Sequence, residues 1–171
     1  FAGKGIKKRY KKISQKEIEK RALKISIAAI KYSMLKQHPN KNIIFNKKEA
    51  LNFEGDTGPY LLYSYARANS ILKKSNAKIS SKTKDLEQKE IELMKELSKF
   101  PETIINSCKS LNPSGIANYS YHLAQVFNEF YHSCPVLNSE NESFRLSLVA
   151  AFKQVLKNSF DLLGIEALDE M

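Results

Sequence analysis

The chain of 171 residues has no tryptophan, only two cysteines, six glycines and five prolines. Turn formers this scarce, against an average usage of about 12%, argue for few, long elements and so for helices. No apolar run approaches the ~18 residues that a membrane-spanning helix requires. Residues 1–12 are basic but lack the apolar stretch of a secretory signal. The first residue is Phe1 and not Met, which points to a processed chain or a piece of a longer one. Cys108 and Cys134 lie far apart with no CxxC spacing. Two free thiols, buried or half-buried in a reducing compartment, is one reading of them; a disulfide or a metal site is the other. His38, His122 and His132 show neither HxxxH nor HExxH spacing, so no zinc site is expected. The chain holds no Walker P-loop, no GxSxG and no Cys–His pair at an interpretable spacing. The motifs therefore nominate no catalytic residue.

What is present begins with charge. Twenty-eight Lys and Arg against 18 Asp and Glu give a net charge of +10 and a pI near 9.5. A field of that sign favours an anionic partner, nucleic acid first and an anionic membrane second. Hydrophobic residues at 42% and charged residues at 27% supply a core and a solvated surface, which excludes disorder as the default. Residues 1–12 carry Lys4, Lys7, Lys8, Arg9, Lys11 and Lys12 and no acid. They form either a solvated tail or a set of phosphate contacts, each contact adding about one unit of salt slope.

Apolar spacing predicts an all-α bundle of five to seven helices. Ser14 and Glu17 form a capping box with Ile13 and Ile18 as its hydrophobic staple. Behind it, Ala22, Ile25, Ala29 and Tyr32 make one row at helical period and Leu23, Ile27, Ile30 and Met34 another, a wide buried stripe that His38-Pro39 ends. Asn46 with Glu49 is a second capping box. Asp56 or Thr57 caps the next helix, with Pro59 in its first turn. Lys73 to Lys84 reads as a solvated loop, and Glu87, Glu90, Glu92 and Glu96 as the solvated acidic face of the helix after it. Pro101 starts a short helix, Asn112-Pro113 opens a longer one that breaks at Cys134-Pro135, and Ser139 with Glu142 caps the last. Gly164 is the natural stop. No alternating strand pattern and no repeat emerges.

The chain holds eight tyrosines, and Tyr60, Tyr63 and Arg67 stand at i, i+3 and i+7, on one helical face. The spacing alone allows two readings. The tyrosines are core rings with satisfied hydroxyls, or they and the guanidinium form a platform on which unpaired bases stack. A platform of this kind on a basic domain suits single-stranded RNA better than a duplex.

Four blocks carry a resemblance. Phe53-Glu54-Gly55-Asp56-Thr57-Gly58-Pro59-Tyr60-Leu61-Leu62-Tyr63-Ser64-Tyr65-Ala66-Arg67 resembles the segment G-N-T-G-P-Y-L-Q-Y-A-x-A-R that opens the anticodon-binding domain of arginyl-tRNA synthetases. Ala28 to Tyr32 resembles the end of the catalytic region of the same enzymes. Tyr119 to Gln125 with Phe127 to Leu137, and Arg145 to Val149 with Val155 to Ala167, are similar to the family's next two signatures, in the same order. The resemblance spans residues 14–171. It implies the helical DALR domain over residues 53–171, preceded over 1–52 by the tail of a class I catalytic region. It also implies anticodon contacts at Tyr60, Tyr63, Arg67, Tyr131 and Met171. Lys7, Lys8, Arg9, Lys11 and Lys12 are then the candidate phosphate contacts.

The implied partner is an arginine-specific tRNA, bound by a monomer in the cytoplasm, away from membranes. The HIGH-type and KMSKS-type motifs of the family do not occur. The resemblance therefore implies that ATP with Mg and arginine bind a missing N-terminal catalytic region, and that this piece holds no cofactor or metal and catalyses nothing alone. Leu62 replaces the usual Gln and Ser64 the usual Ala. The end Leu168-Asp169-Glu170-Met171 replaces P-E-R-M, which loosens the tail and sets an acid near the path of the RNA. The competing readings are a stand-alone helical RNA-binding or regulatory protein, a purely structural helical domain, and the cysteine enzyme's version of the same domain. The Gly55-to-Tyr60 block and the Leu163-to-Ala167 ending disfavour the last.

Overall fold

Local capping chemistry starts most of the helices in the computed structural model, which describes residues 14–83 and 85–171. The basic segment with Lys7, Lys8, Arg9, Lys11 and Lys12, the staple residue Ile13, and Lys84 lie outside the described residues. Ser14 caps α1 (Gln15–Leu35), its Oγ accepting the Glu17 N–H at 3.3 Å, while the Glu17 carboxylate turns to Arg21 at 2.9 Å. Asn46 caps the single turn α2 (Lys47–Ala50) by accepting from the N–H groups of Lys48 and Glu49. Thr57 caps α3 (Gly58–Lys74), accepting the Tyr60 N–H at 3.2 Å. Asp56, the other candidate cap, is engaged elsewhere: the buried Tyr32 hydroxyl donates to it at 2.5 Å and Lys36 at 3.0 Å. Burial, reinforced by that carboxylate, pushes the Tyr32 hydroxyl far above the usual phenol range, so it stays a donor.

Four helices follow: α4 (Gln88–Ser98), α5 (Phe100–Lys109), α6 (Ser114–Ser133) and α7 (Glu142–Leu163). The architecture is all-α, seven helices among the described residues. α3, α6 and α7 pack on one another, with α1 against α3 and with α4 and α5 against α6. Their shared core holds Leu61, Leu62, Leu123, Phe127, Phe130, Phe152, Leu156 and Phe160. The rings of Phe127 and Phe152 lie 3.7 Å apart and nearly parallel at the α6–α7 contact. Each such buried ring contributes about 1.5–3 kcal/mol. Gly58 lets α3 approach α1 closely, since a Cβ there would run into the Ala28 carbonyl. Gly164 ends α7 with φ of 64°, as its position predicts.

Five expectations are corrected. The Ser14–Glu17 and Asn46–Glu49 boxes close on one side only, since the Glu17 carboxylate accepts from Arg21 and that of Glu49 from the Asn46 side-chain amide. The acids of α4 are not one solvated face, because Glu90 and Glu96 are buried. Glu90 meets Arg145 across the bundle, and Glu96 holds Lys99 at 2.7 Å with the Tyr119 hydroxyl on its backbone carbonyl. The Ser139–Glu142 box does not form. The Glu142 carboxylate instead accepts from the Asn138 N–H at 2.8 Å and the Ser75 hydroxyl at 2.5 Å, tying the loop after α3 to the start of α7. Only one row of α1 is buried, Ile18, Ile25, Ala29 and Tyr32, while Leu23, Ile27, Ile30 and Met34 face outward. Cys108 is exposed, and Cys134 is buried with its thiol pushed up to about 11 by desolvation and the nearby Glu87. That thiol stays protonated near neutral pH and is no nucleophile.

Candidate nucleic-acid interface

The i, i+3, i+7 spacing on α3 sets Tyr60, Tyr63 and Arg67 on the side that meets α6, and all three are half-buried. This separates them from Tyr32, Tyr65 and Tyr119, which are core residues. Arg67 is the centre of the arrangement. Its guanidinium carbon lies 4.8 Å from the ring centre of Tyr63 and 5.1 Å from that of Tyr131, which α6 brings across from the other wall. Its Nη2 donates to the Tyr63 hydroxyl at 3.1 Å and its Nη1 to the Asn128 side-chain oxygen at 2.6 Å. A planar cation held against two rings presents flat, electron-rich and positive surfaces together, the combination on which bases stack.

Tyr63, Arg67, Tyr131 and Met171 line one groove of about 760 Å³, with Lys74 and Leu137 on its walls. Tyr60 lies one step along, in an adjoining cavity of about 400 Å³ that Tyr63 and Arg67 also line, together with Phe53, Glu54, Asn128 and His132. The fold therefore gathers all five residues that the resemblance implied. Tyr60 also meets Tyr121 edge-on, ring centres 5.7 Å apart.

Met171 reaches the groove because the tail is fastened along its length. Ile165 and Leu168 are buried. Lys31 donates to the Gly164 carbonyl, Lys24 pairs with Glu166, and Asn69 donates to the Asp169 carbonyl at 3.0 Å. Glu170, the acid in an unusual place, has Arg21 at 3.3 Å and Lys73 at 3.6 Å. Two cations balance its charge, and α1 thereby takes part in placing the tail.

Residue-by-residue reasoning missed Asn128, Lys74, His132 and Phe53. Asn128 sits three residues before Tyr131, on the same helical face, and that spacing was the available signal. Lys74 continues the α3 face beyond Arg67 at i+7, so a basic residue flanks the platform.

Residues 61–171 match the DALR anticodon binding domain family. The chain is 42% identical to the arginine–tRNA ligase of Pyrococcus abyssi over 167 residues, covering 93% of this chain and 27% of that protein. It is also 42% identical to the enzyme of that name from Clostridium perfringens, covering 90% of this chain and 28% of that one. The arginyl-tRNA synthetase structure from Thermus thermophilus superposes with a TM-score of 0.92 at 33% identity, over 99% of this chain and 30% of that one. The structure from Plasmodium falciparum superposes with a TM-score of 0.86 at 32% identity, over 99% and 31%. The chain thus spans under a third of the length of these relatives.

Proposed function

This chain belongs to the DALR anticodon binding domain family, and from that premise we propose that it recognises the anticodon arm of an arginine-specific tRNA as the C-terminal part of an arginine–tRNA ligase. The observation that carries the reading is the Tyr63–Arg67–Tyr131 stack at the mouth of a groove on a chain of net charge +10. Tyr60 and Met171 extend the contact surface on either side. Lys7, Lys8, Arg9, Lys11 and Lys12 supply further phosphate contacts. ATP, Mg and arginine bind the part of the longer protein that carries the two signature motifs missing here, and the ligation occurs there. In this reading the protein works as a cytoplasmic monomer. No helix among the described residues is long and apolar enough to cross a membrane.

A titration of the chain against an arginine tRNA transcript, and against a copy with its middle anticodon base changed, tests the reading at two salt concentrations. The expected result is a preference for the unaltered anticodon that persists as salt rises. Equal binding to both, falling steeply with salt, would reduce the chain to a basic helical bundle.

Residues 1–52 form the tail of the catalytic region and 53–171 the anticodon unit in this reading. The outward row of α1 supports the division. Leu23 is 62% exposed and Ile30 50%, and Ile43, Ile44 and Phe45 are exposed as well. A helix apolar on two sides has a second surface to cover, and the occupant proposed is the catalytic region of the same polypeptide. Leu23→Ser should then change the stability of the 171-residue chain by less than about 0.5 kcal/mol. In the longer polypeptide the same substitution should cost about 1 kcal/mol or more, since burial of such a side chain is worth about 1.5–3 kcal/mol. Equal melting shifts in both would place α1 wholly with the anticodon unit.

A further inference from the structure

Asn128 makes contacts that the stacking arrangement alone does not require. Its carboxamide stands between α6 and α3 and meets three α3 side chains: Arg67 at 2.6 Å, Tyr60 at 2.8 Å and Ser64 at 3.0 Å. The direction of each bond follows from donor and acceptor inventories. A guanidinium only donates, so the carboxamide must turn its oxygen to Arg67. The amide nitrogen, which also only donates, then faces the hydroxyls of Tyr60 and Ser64. Both hydroxyl oxygens are therefore acceptors. Ser64 sends its own proton back to the Tyr60 carbonyl at 3.1 Å, on the preceding turn. The Tyr60 proton meets no acceptor among the described residues, and its ring lines the cavity of about 400 Å³ between α3 and α6.

We infer that Asn128 sets the hydrogen-bond polarity of the platform, so that the Tyr60 hydroxyl is presented to the RNA as a donor. The subsite beside Tyr60 takes an acceptor of an unpaired base, a carbonyl oxygen or a ring nitrogen. The inference rests on the anticodon-binding reading and adds to it the class of atom that is read. Arg67 has a second role in consequence: besides offering a stacking surface, it fixes which way round the carboxamide stands. Asn128 is a positioning residue, since it acts on the RNA through Tyr60. Ser64, where the family usually has Ala, gives the second amide proton its acceptor, so the carboxamide is held at three points.

The test exploits the near-identical shape of Asn and Asp. In Asn128→Asp both side-chain oxygens accept, Arg67 keeps its partner, and the Tyr60 proton is drawn inward to the carboxylate. The outward polarity of Tyr60 inverts. The readout is the ratio of affinities for the unaltered and anticodon-changed tRNA, in which the general repulsion between a new carboxylate and RNA cancels. The expected result is a loss of about tenfold in that ratio, the scale of one hydrogen bond to a positioned group. Tyr60→Phe should lose a similar factor, and the double variant little more than either. An unchanged ratio in Asn128→Asp, with Tyr60→Phe reduced, would overturn the inference.

A second arm keeps the native protein. Anticodon stem-loops carrying a single weakened acceptor, a thiocarbonyl in place of a loop carbonyl or a C–H in place of a loop ring nitrogen, should lose affinity at one position, and that sensitivity should vanish in Tyr60→Phe. Sensitivity at no position, or sensitivity that survives in Tyr60→Phe, would overturn the inference even if Asn128→Asp failed to fold. A native chain with no anticodon preference at all would instead overturn the anticodon reading beneath it.

Discussion

Arg67→Ala should weaken binding of the arginine tRNA by about 3 kcal/mol, the upper end of the 1–3 kcal/mol that one aromatic stack is worth, while changing chain stability by under about 1 kcal/mol. Two rings and one carboxamide depend on this guanidinium. It lies 4.8 Å from Tyr63 and 5.1 Å from Tyr131, one on each helix, and holds the Asn128 oxygen at 2.6 Å. Without it the rings lose the flat cation that stands between them, and Asn128 is left to join the two walls through Tyr60 and Ser64 alone. The half-buried position limits the stability cost, since an exposed cation–π contact is worth about 0.5–1 kcal/mol. Arg67→Lys should rescue little, because an ammonium keeps the charge but neither stacks nor reaches two partners in one plane. Isothermal titration with a parallel thermal melt separates these effects. Full rescue by lysine would show that Arg67 acts as a point charge, and binding within twofold of the native chain in Arg67→Ala would remove the platform from the interface.

The parts of the structure legible in the sequence are those decided within a few residues. Ser14, Asn46 and Thr57 cap the helices they were expected to cap, because each partner N–H lies two or three residues on. The Ser139–Glu142 box fails because the Glu142 carboxylate is shared between the Asn138 N–H and a hydroxyl 67 residues away, on Ser75. Hydropathy alone would bury the wrong row of α1, since the outward Leu23, Ile27, Ile30 and Met34 are the more apolar set, and only the packing of α3 decides which is buried. The candidate site divides the same way. Tyr60, Tyr63 and Arg67 share a face by spacing alone, whereas Tyr131 and Met171 came from the resemblance, being 64 and 104 residues beyond Arg67. The spacing of Asn128 and Tyr131 marks a shared face of α6, but the role of Asn128 stayed hidden because its three partners all stand on α3. The tail shows how a departure from the family pattern can be compensated at a distance. Glu170 stands where Arg is usual, and Arg21 of α1 answers it across 149 residues.

The acids of α4 lead to the second large effect. Arg145 is 4% exposed and Glu90 0%. The Arg145 Nε donates to Glu90 at 2.7 Å, Nη1 to the Pro135 carbonyl at 2.7 Å, and Nη2 to Glu87. Glu90 in turn accepts the Glu87 N–H at 2.7 Å, the return arm of the α4 capping box. One cation thus joins the start of α7, the start of α4 and the turn after α6. Taking such a pair out of water is costly, and the pair persists because its donors and acceptors are matched; removing one partner strands the other charge. Arg145→Met should therefore destabilise the chain by about 3–5 kcal/mol, read from urea unfolding with an unchanged slope. Arg145→Met combined with Glu90→Gln should cost less than the sum of the two single changes, because the neutral amide leaves no stranded charge. A loss below about 1 kcal/mol in Arg145→Met would mean that water reaches Glu90 once the arginine is gone. Pro135, Val136 and Leu137 line the groove, so the same contact braces the wall beside Tyr131. Well below its melting temperature Arg145→Met should still prefer the unaltered anticodon, whereas Arg67→Ala should fold normally and lose that preference. The two arginines differ in what surrounds them: Arg145 is buried against the buried Glu90 and the exposed Glu87, and Arg67 faces aromatic rings at the edge of water.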